Sequence, residues 1–566
     1  MSDAAASTNT SLDVSPAKLR QVIVASSAGT IFEWYDFFVY GALTSIMAAN
    51  FYSNLPETQA LIFSLLTFSV GLLVRPFGAL VFGKIGDSAG RKGAFLITIS
   101  VMGLATVAIG LLPTQAQLPP DLALAAPVLL VGMRVLQGFA LGGEYGGAAV
   151  YVAEHAPRKH RGSATAGIQC SAAIGLVGAL GVILATRGIL GEDAFKDWGW
   201  RIPFLLSAAL LAVSLWIRLR LEESPAFKRI KAEGNVSKRA YAESFFEWRN
   251  LKFVLLALFG LMMAQGVVWY TGHFYAQVFI ERILKVDQKT VNWLMITIVA
   301  ISAPLYVFFA WISDRVGRKP VMLFGMVLMT LAYFPGFHML TRAANPALAA
   351  ATEAAPATVV ADPNDCSFQL DLTGGAARFL TSCDIAKSAL TSAGVNYETV
   401  AGPPGALAQV RVGGASVESV NAAALPTSEQ KAARDAFTAR LRESLNAAGY
   451  PEHAEASAIN VPLALGVLFV FIIAATALYG PQAAALVELF PTRIRYTALS
   501  LPYNIGTGWF GALLAPLAVA ISTTTGNIYA GLWFPLIVTA LAALIFLLFW
   551  PETKDRDIHA ADGPAP

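Results

Sequence analysis

Two carboxylates stand in the first apolar run of the chain. Glu33 and Asp36 are three residues apart, so a helix places them on one face, and Tyr40 continues that face one turn later. A carboxylate inside a membrane helix is costly and usually faces a cavity or a partner on an ion or proton path. Two close carboxylates also disfavour each other's charge, which suits reversible protonation. The spacing therefore predicts a proton-coupling pair, unless one of the two has only a structural partner.

Arginines and other polar groups in later apolar runs are candidates for binding an anion or for competing with protons. Arginine stays charged at any relevant pH. Arg134, Gln137 and Glu144 belong to one run, and the last two are seven residues apart and share a helix face. We expect Arg134 and Glu144 to join the proton-coupling pair, and Tyr40, Arg75 and Gln137 to contact substrate. A structural role near the cytoplasmic end is the alternative for Arg75.

A polar and aromatic stripe marks the seventh apolar run. Gln265, Trp269 and His273 recur at four-residue spacing, and Tyr270 overlaps that stripe. Asn504 offers a further polar group in a glycine-containing run near the end of the chain. These five residues are predicted to line a substrate cavity. An aromatic belt at the membrane interface is the alternative for the stripe.

A charged motif occurs twice. Asp-x-x-Gly-Arg-Lys begins at Asp87 and returns at Asp314, each time between apolar runs. Each copy is followed by Glu with Pro three residues later and Arg four residues after that Pro. The chain is therefore a duplicated unit, and its second copy is 107 residues longer between the motifs. The charges of the two copies are predicted to gate the cytoplasmic side by pairing with one another: Asp87, Arg91, Glu154, Arg161, Asp314, Arg318, Glu488 and Arg495.

The composition is that of a membrane protein that crosses the bilayer many times. Of its 566 residues, 56% are hydrophobic and 14% are charged, and mean hydropathy is +0.58. A soluble protein is about 25% charged. Recurring apolar runs of about 20 residues predict transmembrane helices. Twelve are predicted, over residues 21–48, 58–83, 93–113, 125–152, 163–187, 201–220, 253–281, 290–312, 320–342, 460–485, 496–521 and 528–550.

Alternate loops differ in their Lys and Arg content, and the richer set lies in the cytoplasm by the positive-inside rule. Both termini are therefore expected in the cytoplasm, as tails over 1–20 and 551–566. The basic stretch from Arg218 to Lys252 contains the cytoplasmic linker, 221–252, between the two halves. The remaining predicted units are a six-helix bundle over 21–220, helices 7–9 over 253–342, an outer insertion over 343–459 and helices 10–12 over 460–550.

The insertion is predicted to be a small α/β domain. Its edges are Ala-rich, and Pro346, Pro356 and Pro363 indicate linkers there. A disulfide between Cys366 and Cys383 is expected, because a lone cysteine pair in an oxidising compartment usually bonds. Two free thiols are the alternative. The predicted strands are 368–372, 397–400 and 409–412, and the predicted helices are 383–392 and 428–448.

Together these motifs resemble the metabolite:proton symporter family of the major facilitator superfamily, which includes carriers of proline and betaine, α-ketoglutarate, citrate and shikimate. The resemblance implies an all-α membrane fold of two six-helix bundles that alternate access to a central site. It also implies a monomer in a bacterial inner membrane. Ser88 departs from the family pattern, which has Arg there. The matching stretches are 29–37, 75–92, 134–147, 199–204, 222–227 and 479–504.

We expect proton-coupled uptake of a small organic solute, with a mono- or dicarboxylate metabolite as the first choice because membrane arginines favour an anion. A zwitterionic osmolyte such as betaine or proline is the alternative. About 16 residues follow the last predicted helix, without heptads, which counts against an osmosensor. A receptor and a membrane enzyme are weaker hypotheses, since the sequence lacks common catalytic motifs and His453 is the only histidine of the insertion. No cofactor, metal or nucleic-acid partner is expected.

Overall fold

A computed structural model describes residues 16–54, 57–220, 222–369 and 379–558. Within these ranges, 12 helices are long and apolar enough to cross a membrane, which confirms the predicted number. The ends of the predicted tails, 1–15 and 559–566, lie outside the described residues. Membrane helices 1 to 12 are Leu19–Ala42, Leu66–Ser88, Arg91–Leu111, Ala125–His155, Arg158–Leu190, Arg201–Leu219, Trp248–Ile283, Gln288–Val316, Arg318–Ala344, Val461–Leu489, Arg495–Thr525 and Ala530–Phe549.

The first membrane helix is shorter than predicted. It ends at Ala42, Leu43 interrupts it, and a separate helix follows over Thr44–Phe51. The Thr44 hydroxyl donates a hydrogen bond to the carbonyl of Gly41 at 2.8 Å. A hydroxyl that bonds nearby backbone offers the chain an alternative to the helical pattern, and this hydroxyl stands directly after the break at Leu43.

Glycines bring the second and fourth helices into close contact. A Cβ atom on Gly138 would lie 2.0 Å from the carbonyl oxygen of Gly71, and one on Gly142 would lie 2.1 Å from that of Arg75. Small residues at an interface let helix backbones approach in a membrane. This contact fixes the relative height of Arg75 and Arg134, which the two helices carry.

Two membrane helices of the second half contain π-helical turns. They occur in helix 7 over Ala257–Met262, Thr271–Tyr275 and Phe279–Ile283, and in helix 11 over Gly506–Gly511. Such turns are frequent at functional sites, because an extra residue re-aims the side chains that follow. The second of the three includes His273, and the one in helix 11 begins two residues after Asn504.

The insertion contains a four-stranded sheet. The strands are β1 (Ala357–Ala361), β2 (Tyr397–Ala401), β3 (Gln409–Val412) and β4 (Ala415–Glu418), in the order β2-β1-β3-β4. β1 is parallel to β2 and antiparallel to β3. Helices run over Ser382–Ser392 and Thr427–Ala447. Cys366 and Cys383 form the expected disulfide, with Cα atoms 5.2 Å apart.

Two predictions about the insertion are wrong at its first edge. Pro346 begins a helix, Pro346–Ala354, and the segment between Pro356 and Pro363 is the central strand β1 rather than a linker. Alternate residues of β1 are buried, but its five residues are too few and too small to show a clear period in sequence. In the predicted strand 368–372, residues 368 and 369 are not in a strand and 370–372 lie outside the described residues.

The insertion packs on two loops of the second half. The Tyr397 backbone N–H donates to the carbonyl of Gly526 at 2.7 Å, and the Ile528 N–H donates to Asn396 Oδ1 at 2.8 Å. Further along, the Ala454 N–H donates to the carbonyl of Lys285 at 3.0 Å. These bonds reach the loop between helices 11 and 12 and the loop after helix 7.

Candidate functional site

The charged motif of the first half closes on the start of helix 11. The Asp87 carboxylate accepts hydrogen bonds from the backbone N–H groups of Tyr496 at 3.2 Å and Thr497 at 2.8 Å. Arg91 donates to the same carboxylate at 2.7 Å and to the carbonyl of Thr492 at 2.6 Å. A carboxylate is favoured at a helix N-terminus, where N–H groups lack helical partners. Asp87 therefore joins the two halves of the molecule.

The second motif repeats this arrangement with the halves exchanged. The Asp314 carboxylate accepts hydrogen bonds from the N–H groups of Gly162 and Ser163, both at 2.8 Å, at the start of helix 5. Arg318 donates to Asp314 at 2.7 Å. Each half thus places an aspartate on a helix N-terminus of the other half.

Two glutamate–arginine pairs complete the contact between the halves. Arg495 donates to Glu154 at 2.7 Å, and Arg161 donates to Glu488 at 2.8 Å. Arg318 also pairs with Glu488 at 3.1 Å. The structure brings all eight predicted gating residues together, and we call them the latch. The latch joins helix ends on the side of the molecule that the sequence assigns to the cytoplasm. The described structure is therefore closed on this side.

Glu223 supports the first half of the latch and was not predicted. Its carboxylate accepts hydrogen bonds from the N–H groups of Arg91 at 3.0 Å and Lys92 at 3.2 Å, at the start of helix 3. The next residue, Ser224, donates to Glu154 at 2.6 Å. One short segment after helix 6 thereby fixes both the arginine and the glutamate.

Glu552 has the same position in the second half. It accepts hydrogen bonds from the N–H groups of Arg318 at 2.9 Å and Lys319 at 3.1 Å, and Thr553 donates to Glu488 at 2.8 Å. A sequence signal for these residues exists. Glu-Ser follows helix 6 and Glu-Thr follows helix 12, so a search for a third repeated motif could have found both.

Within the first half, a chain of hydrogen bonds joins Asp36 to Arg134. The Asp36 carboxylate accepts hydrogen bonds from Ser207 at 2.5 Å and Thr106 at 3.0 Å. Gln137 donates to the Thr106 hydroxyl at 2.7 Å, and Arg134 donates to the Gln137 side-chain oxygen at 2.7 Å. We call Asp36, Thr106, Gln137 and Arg134 the relay. An arginine was expected to act on this carboxylate directly; the structure interposes two neutral side chains.

Arg134 is buried in an unusual environment for a charge. Its guanidinium lies 4.4 Å from the ring centroid of Tyr40 and 5.2 Å from that of Phe68, and it also donates to the carbonyl of Phe68 at 3.3 Å. Among the described residues, no carboxylate lies within 4.0 Å of it. A buried cation that is held by rings and neutral acceptors can still bind an anion.

Glu144, predicted to act with Arg134, is instead paired with Arg218 of helix 6. Arg218 donates to Glu144 at 2.6 Å, and Thr98 donates to the other carboxylate oxygen at 2.7 Å. A Cβ atom on Gly29 would lie 1.8 Å from Arg218 Nη2, so the glycine makes room for the guanidinium. Arg218 was predicted both in the helix 201–220 and at the start of the basic stretch; the structure places it within helix 6 and buries it.

Glu33 lies close to this pair. Its Oε2 atom is buried and has no hydrogen-bond partner in the described part of the chain. Glu33 interacts electrostatically with Glu144, Arg75 and Arg218. A cavity of about 10 Å³ is lined by Glu33, Asp36 and Ser207, roughly the space of one water molecule. The two predicted proton-coupling carboxylates therefore share one small cavity, whose remaining lining apart from Ser207 is apolar.

Arg75 and Asn504 connect the halves near the relay. Arg75 Nε donates to Asn504 Oδ1 at 3.1 Å, and Asn504 Nδ2 donates to the carbonyl of Gly142 at 2.9 Å. Arg75 also lies over the ring of Tyr503, 5.9 Å from its centroid. Arg75 is thus an inter-half contact rather than a residue of the cytoplasmic end.

A stacked tyrosine pair forms a second contact between the halves, and it was missed. The rings of Tyr145 and Tyr503 are 3.6 Å apart and parallel to within 3°. The Tyr145 hydroxyl accepts hydrogen bonds from Gln169 at 3.0 Å and Gln482 at 3.1 Å. Tyr145 and Tyr479 each stand nine residues before a latch glutamate, so the internal repeat could have marked them.

The polar and aromatic stripe of helix 7 faces other helices. Trp269 Nε1 donates to the Tyr306 hydroxyl at 2.9 Å, and the His273 ring stacks on Trp269 with centroids 4.6 Å apart. Gln265 is buried, and Tyr270 packs where a Cβ on Gly511 would lie 2.5 Å from its ring. These contacts place the stripe between helices rather than in an interfacial belt, and the cavity lining stays a prediction.

Comparison with known proteins gives a consistent result. The protein family described as "Sugar (and other) transporter" matches this chain over residues 21–244 and 228–354. A proline/betaine transporter of Escherichia coli strain K12 is 33% identical over 341 residues, which cover 58% of this chain and 66% of that protein. A Staphylococcus aureus strain MSSA476 protein, provisionally assigned as a proline/betaine transporter, is 36% identical over 333 residues, covering 58% of this chain and 69% of that protein.

Solved structures of the xylose transporter XylE share the fold. A double-tryptophan variant of it gives a TM-score of 0.64 at 16% identity, covering 96% of this chain and 98% of that one. The proton:xylose symporter bound to 6-bromo-6-deoxy-D-glucose gives 0.60 at 17% identity with the same coverage. At this identity the likeness concerns the fold alone, and it confirms the predicted twelve-helix architecture.

Proposed function

The chain belongs to the sugar (and other) transporter family of the major facilitator superfamily, and on that premise we propose that it takes up a zwitterionic osmolyte of the betaine or proline type together with protons. It is a multi-pass membrane transporter of a small solute and not an enzyme. The proposal therefore concerns the substrate, the coupling ion and the residues that bind them.

The observation that carries the proposal is the environment of Arg134. This buried guanidinium has no carboxylate within 4.0 Å in the described ranges, so a substrate carboxylate can pair with it. Arg offers a planar fork of donors that matches a carboxylate. The opposite end of a zwitterion is an ammonium group, and aromatic faces bind such groups by cation–π attraction. Trp269 and Tyr270 supply such faces from the second half.

The similar proteins support an osmolyte over a carboxylate. Two of them are assigned to proline and betaine, and each covers 58% of this chain. These relatives favour a zwitterionic osmolyte, which was the alternative from sequence, over a mono- or dicarboxylate, which was the first choice. One observation keeps a dicarboxylate as second candidate: Arg75, like Arg134, has no described carboxylate within 4.0 Å, and two cations suit two anionic groups.

The relay supplies a route from proton binding to substrate binding. A deprotonated Asp36 only accepts hydrogen bonds, whereas a protonated one also donates. On protonation, Asp36 can donate to the Thr106 hydroxyl, whose own hydrogen then turns to the carbonyl of Met102 at 2.9 Å. This changes the hydrogen bonding of the residue that links Asp36 to Gln137 and Arg134. We infer that Asp36 binds the coupled proton, and that Glu33, Glu144 and Arg218 set the charge around it.

The latch supplies the conformational switch. Its inter-half bonds must break when the cytoplasmic side opens, and such a switch works only if the two states differ by a few kcal/mol. We place both termini in the cytoplasm of a bacterial cell, in its inner membrane, and assign the present arrangement to a state closed on that side.

Counterflow in proteoliposomes tests the substrate. Purified protein is reconstituted with unlabelled betaine, proline, succinate or citrate inside, and uptake of the same labelled compound is followed without a proton gradient. Betaine or proline should drive counterflow, and Arg134→Gln should abolish it. Counterflow with succinate alone would support the dicarboxylate. If none of the four compounds moves, the assignment of both substrate classes fails.

A further inference from the structure

The insertion contains a cavity that transport does not explain. It has a volume of about 340 Å³ and lies between the helices Ser382–Ser392 and Thr427–Ala447, beside Lys285 after helix 7. Small-molecule sites occupy about 300–1,000 Å³. The cavity is therefore large enough for a small metabolite, and it is separate from the relay and the latch.

The backbone of Lys285, at the edge of the cavity, is strained. Its φ is 59°, a left-handed conformation that residues other than glycine rarely adopt. Its carbonyl accepts a hydrogen bond from the N–H of Ala454, which fixes the backbone against the end of the insertion. Strained backbone of this kind costs about 1–3 kcal/mol and is typical of functional sites.

The half-buried ammonium of Lys285 faces like charges. No carboxylate of the described chain lies within 4.0 Å of it. Burial, and then the charges of Arg282 and Arg442, lower the pKa of Lys285 below that of an ordinary lysine. Arg442 also lines the cavity and pairs with Glu452 at 3.0 Å, and Arg282 pairs with Glu281 at 3.7 Å. The described lining carries the cations Lys285, Arg434 and Arg442 and the carboxylates Asp435 and Glu452, which leaves one positive charge in excess. An anion beside Lys285 would relieve the repulsion.

The rest of the lining suits a compact organic body. Ile385, Leu441 and Leu445 are buried apolar residues on the two helices, while Ser388 and Asn446 add hydrogen-bonding groups. We propose that this cavity binds a small organic acid, with its carboxylate near Lys285 and its apolar body against Leu441 and Leu445.

The site is independent of the proposed transport function. The Arg134→Gln variant separates the two, because it removes the expected central carboxylate contact and leaves the insertion unchanged. The probe is benzoate, which has one carboxylate on a compact apolar ring, and benzyl alcohol is its neutral analogue. Binding is measured by titration calorimetry on full-length Arg134→Gln protein in phosphatidylcholine nanodiscs.

In this background, Lys285→Gln should weaken benzoate binding at least tenfold. Lys431 is an exposed lysine of the insertion helix Thr427–Ala447 and does not line the cavity. Lys431→Gln should therefore leave benzoate binding unchanged. Asn446 is an exposed residue of the lining, and Asn446→Trp should block the cavity without removing a charge. This variant tests the site if Lys285→Gln does not fold. Benzyl alcohol should not bind measurably.

Three results would overturn the proposal. They are benzoate binding that is unaffected by both Lys285→Gln and Asn446→Trp, equal binding of benzyl alcohol, and no benzoate binding at all. Nanodiscs that contain phosphatidylglycerol test whether the bound anion is a lipid headgroup instead of a soluble acid. If this lipid displaces benzoate, the site holds a lipid headgroup, and the assignment to a soluble acid is wrong.

Discussion

The hydroxyl of Thr106 lies 3.0 Å from the carboxylate of Asp36, in the interior of the first helical bundle. Thr106 is also the residue to which Gln137 donates, at 2.7 Å. A single hydroxyl therefore stands between the proposed proton site and the side chain that holds Arg134. This position makes Thr106 the most specific test of the relay.

Thr106→Val should uncouple transport from the proton gradient. Valine keeps the shape of threonine but can neither donate to Asp36 nor accept from Gln137, so two buried groups lose a partner. We expect proton-driven accumulation to fall to the level of passive equilibration, while substrate exchange persists. Thr297→Val is the matched control, because Thr297 is half-buried and donates to the backbone of its own helix, to the carbonyl of Trp293. Wild-type accumulation by Thr106→Val would exclude the relay.

Arg134→Lys should lower transport at least roughly tenfold, which is about 1.4 kcal/mol. Lysine keeps the charge but lacks the planar fork that reaches Gln137 and a substrate carboxylate together. Initial uptake rates in proteoliposomes measure the effect, with protein content matched by immunoblot. Near-normal uptake would show that Arg134 contributes charge only.

Gly29→Ala should disturb the pair between Arg218 and Glu144. The added Cβ would lie 1.8 Å from Arg218 Nη2, so the guanidinium must move. Overpacking of this kind costs about 1–3 kcal/mol, and a displaced buried charge adds to that cost. We expect a lower unfolding temperature and reduced uptake.

The control for that substitution is Gly181→Ala, where no heavy atom lies within 4 Å of the added Cβ. Its unfolding temperature and uptake should equal those of the wild type. If both alanine variants behave alike, Gly29 does not serve to accommodate Arg218.

Asp87→Asn and Asp314→Asn should open the cytoplasmic side to the same extent, because the two aspartates have equivalent positions in the latch. Each substitution removes the negative charge that two N–H groups and an arginine share. Labelling of single cysteines introduced on the cytoplasmic side should increase in both variants. Glu192→Gln, an exposed carboxylate between helices 5 and 6, should not change it. Unchanged labelling in both aspartate variants would mean that the latch does not set the state.

The latch could be predicted from sequence because duplication preserves spacing. Asp87 and Asp314 begin identical motifs, and a charge that recurs beside apolar runs must find a partner. Arg218 could not be predicted, since it stands two residues before Arg220 at the end of an apolar run and so resembles a cytoplasmic anchor. Only the three-dimensional approach of helices 1 and 6 shows that Gly29 leaves room for it.

Contacts between the halves are the other part that sequence does not show. The Tyr145–Tyr503 stack joins residues that are far apart in the chain. Each stands beside a predicted site residue, Glu144 or Asn504, but nothing in the sequence shows that the two rings meet. Strand β1 was missed for a local reason, because five small residues between two prolines resemble a linker. The sheet is formed by distant partners, β2 and β3, which supply the hydrogen bonds that identify it.

The most direct test of the account is proton-driven uptake by Asp36→Asn. Proteoliposomes with the wild type or the variant receive an inward pH gradient, and accumulation of labelled betaine or proline is compared with counterflow of the same compound without a gradient. We expect the variant to lose accumulation above equilibrium and to retain counterflow. Accumulation at the wild-type level by Asp36→Asn would contradict the assignment of the coupled proton to Asp36.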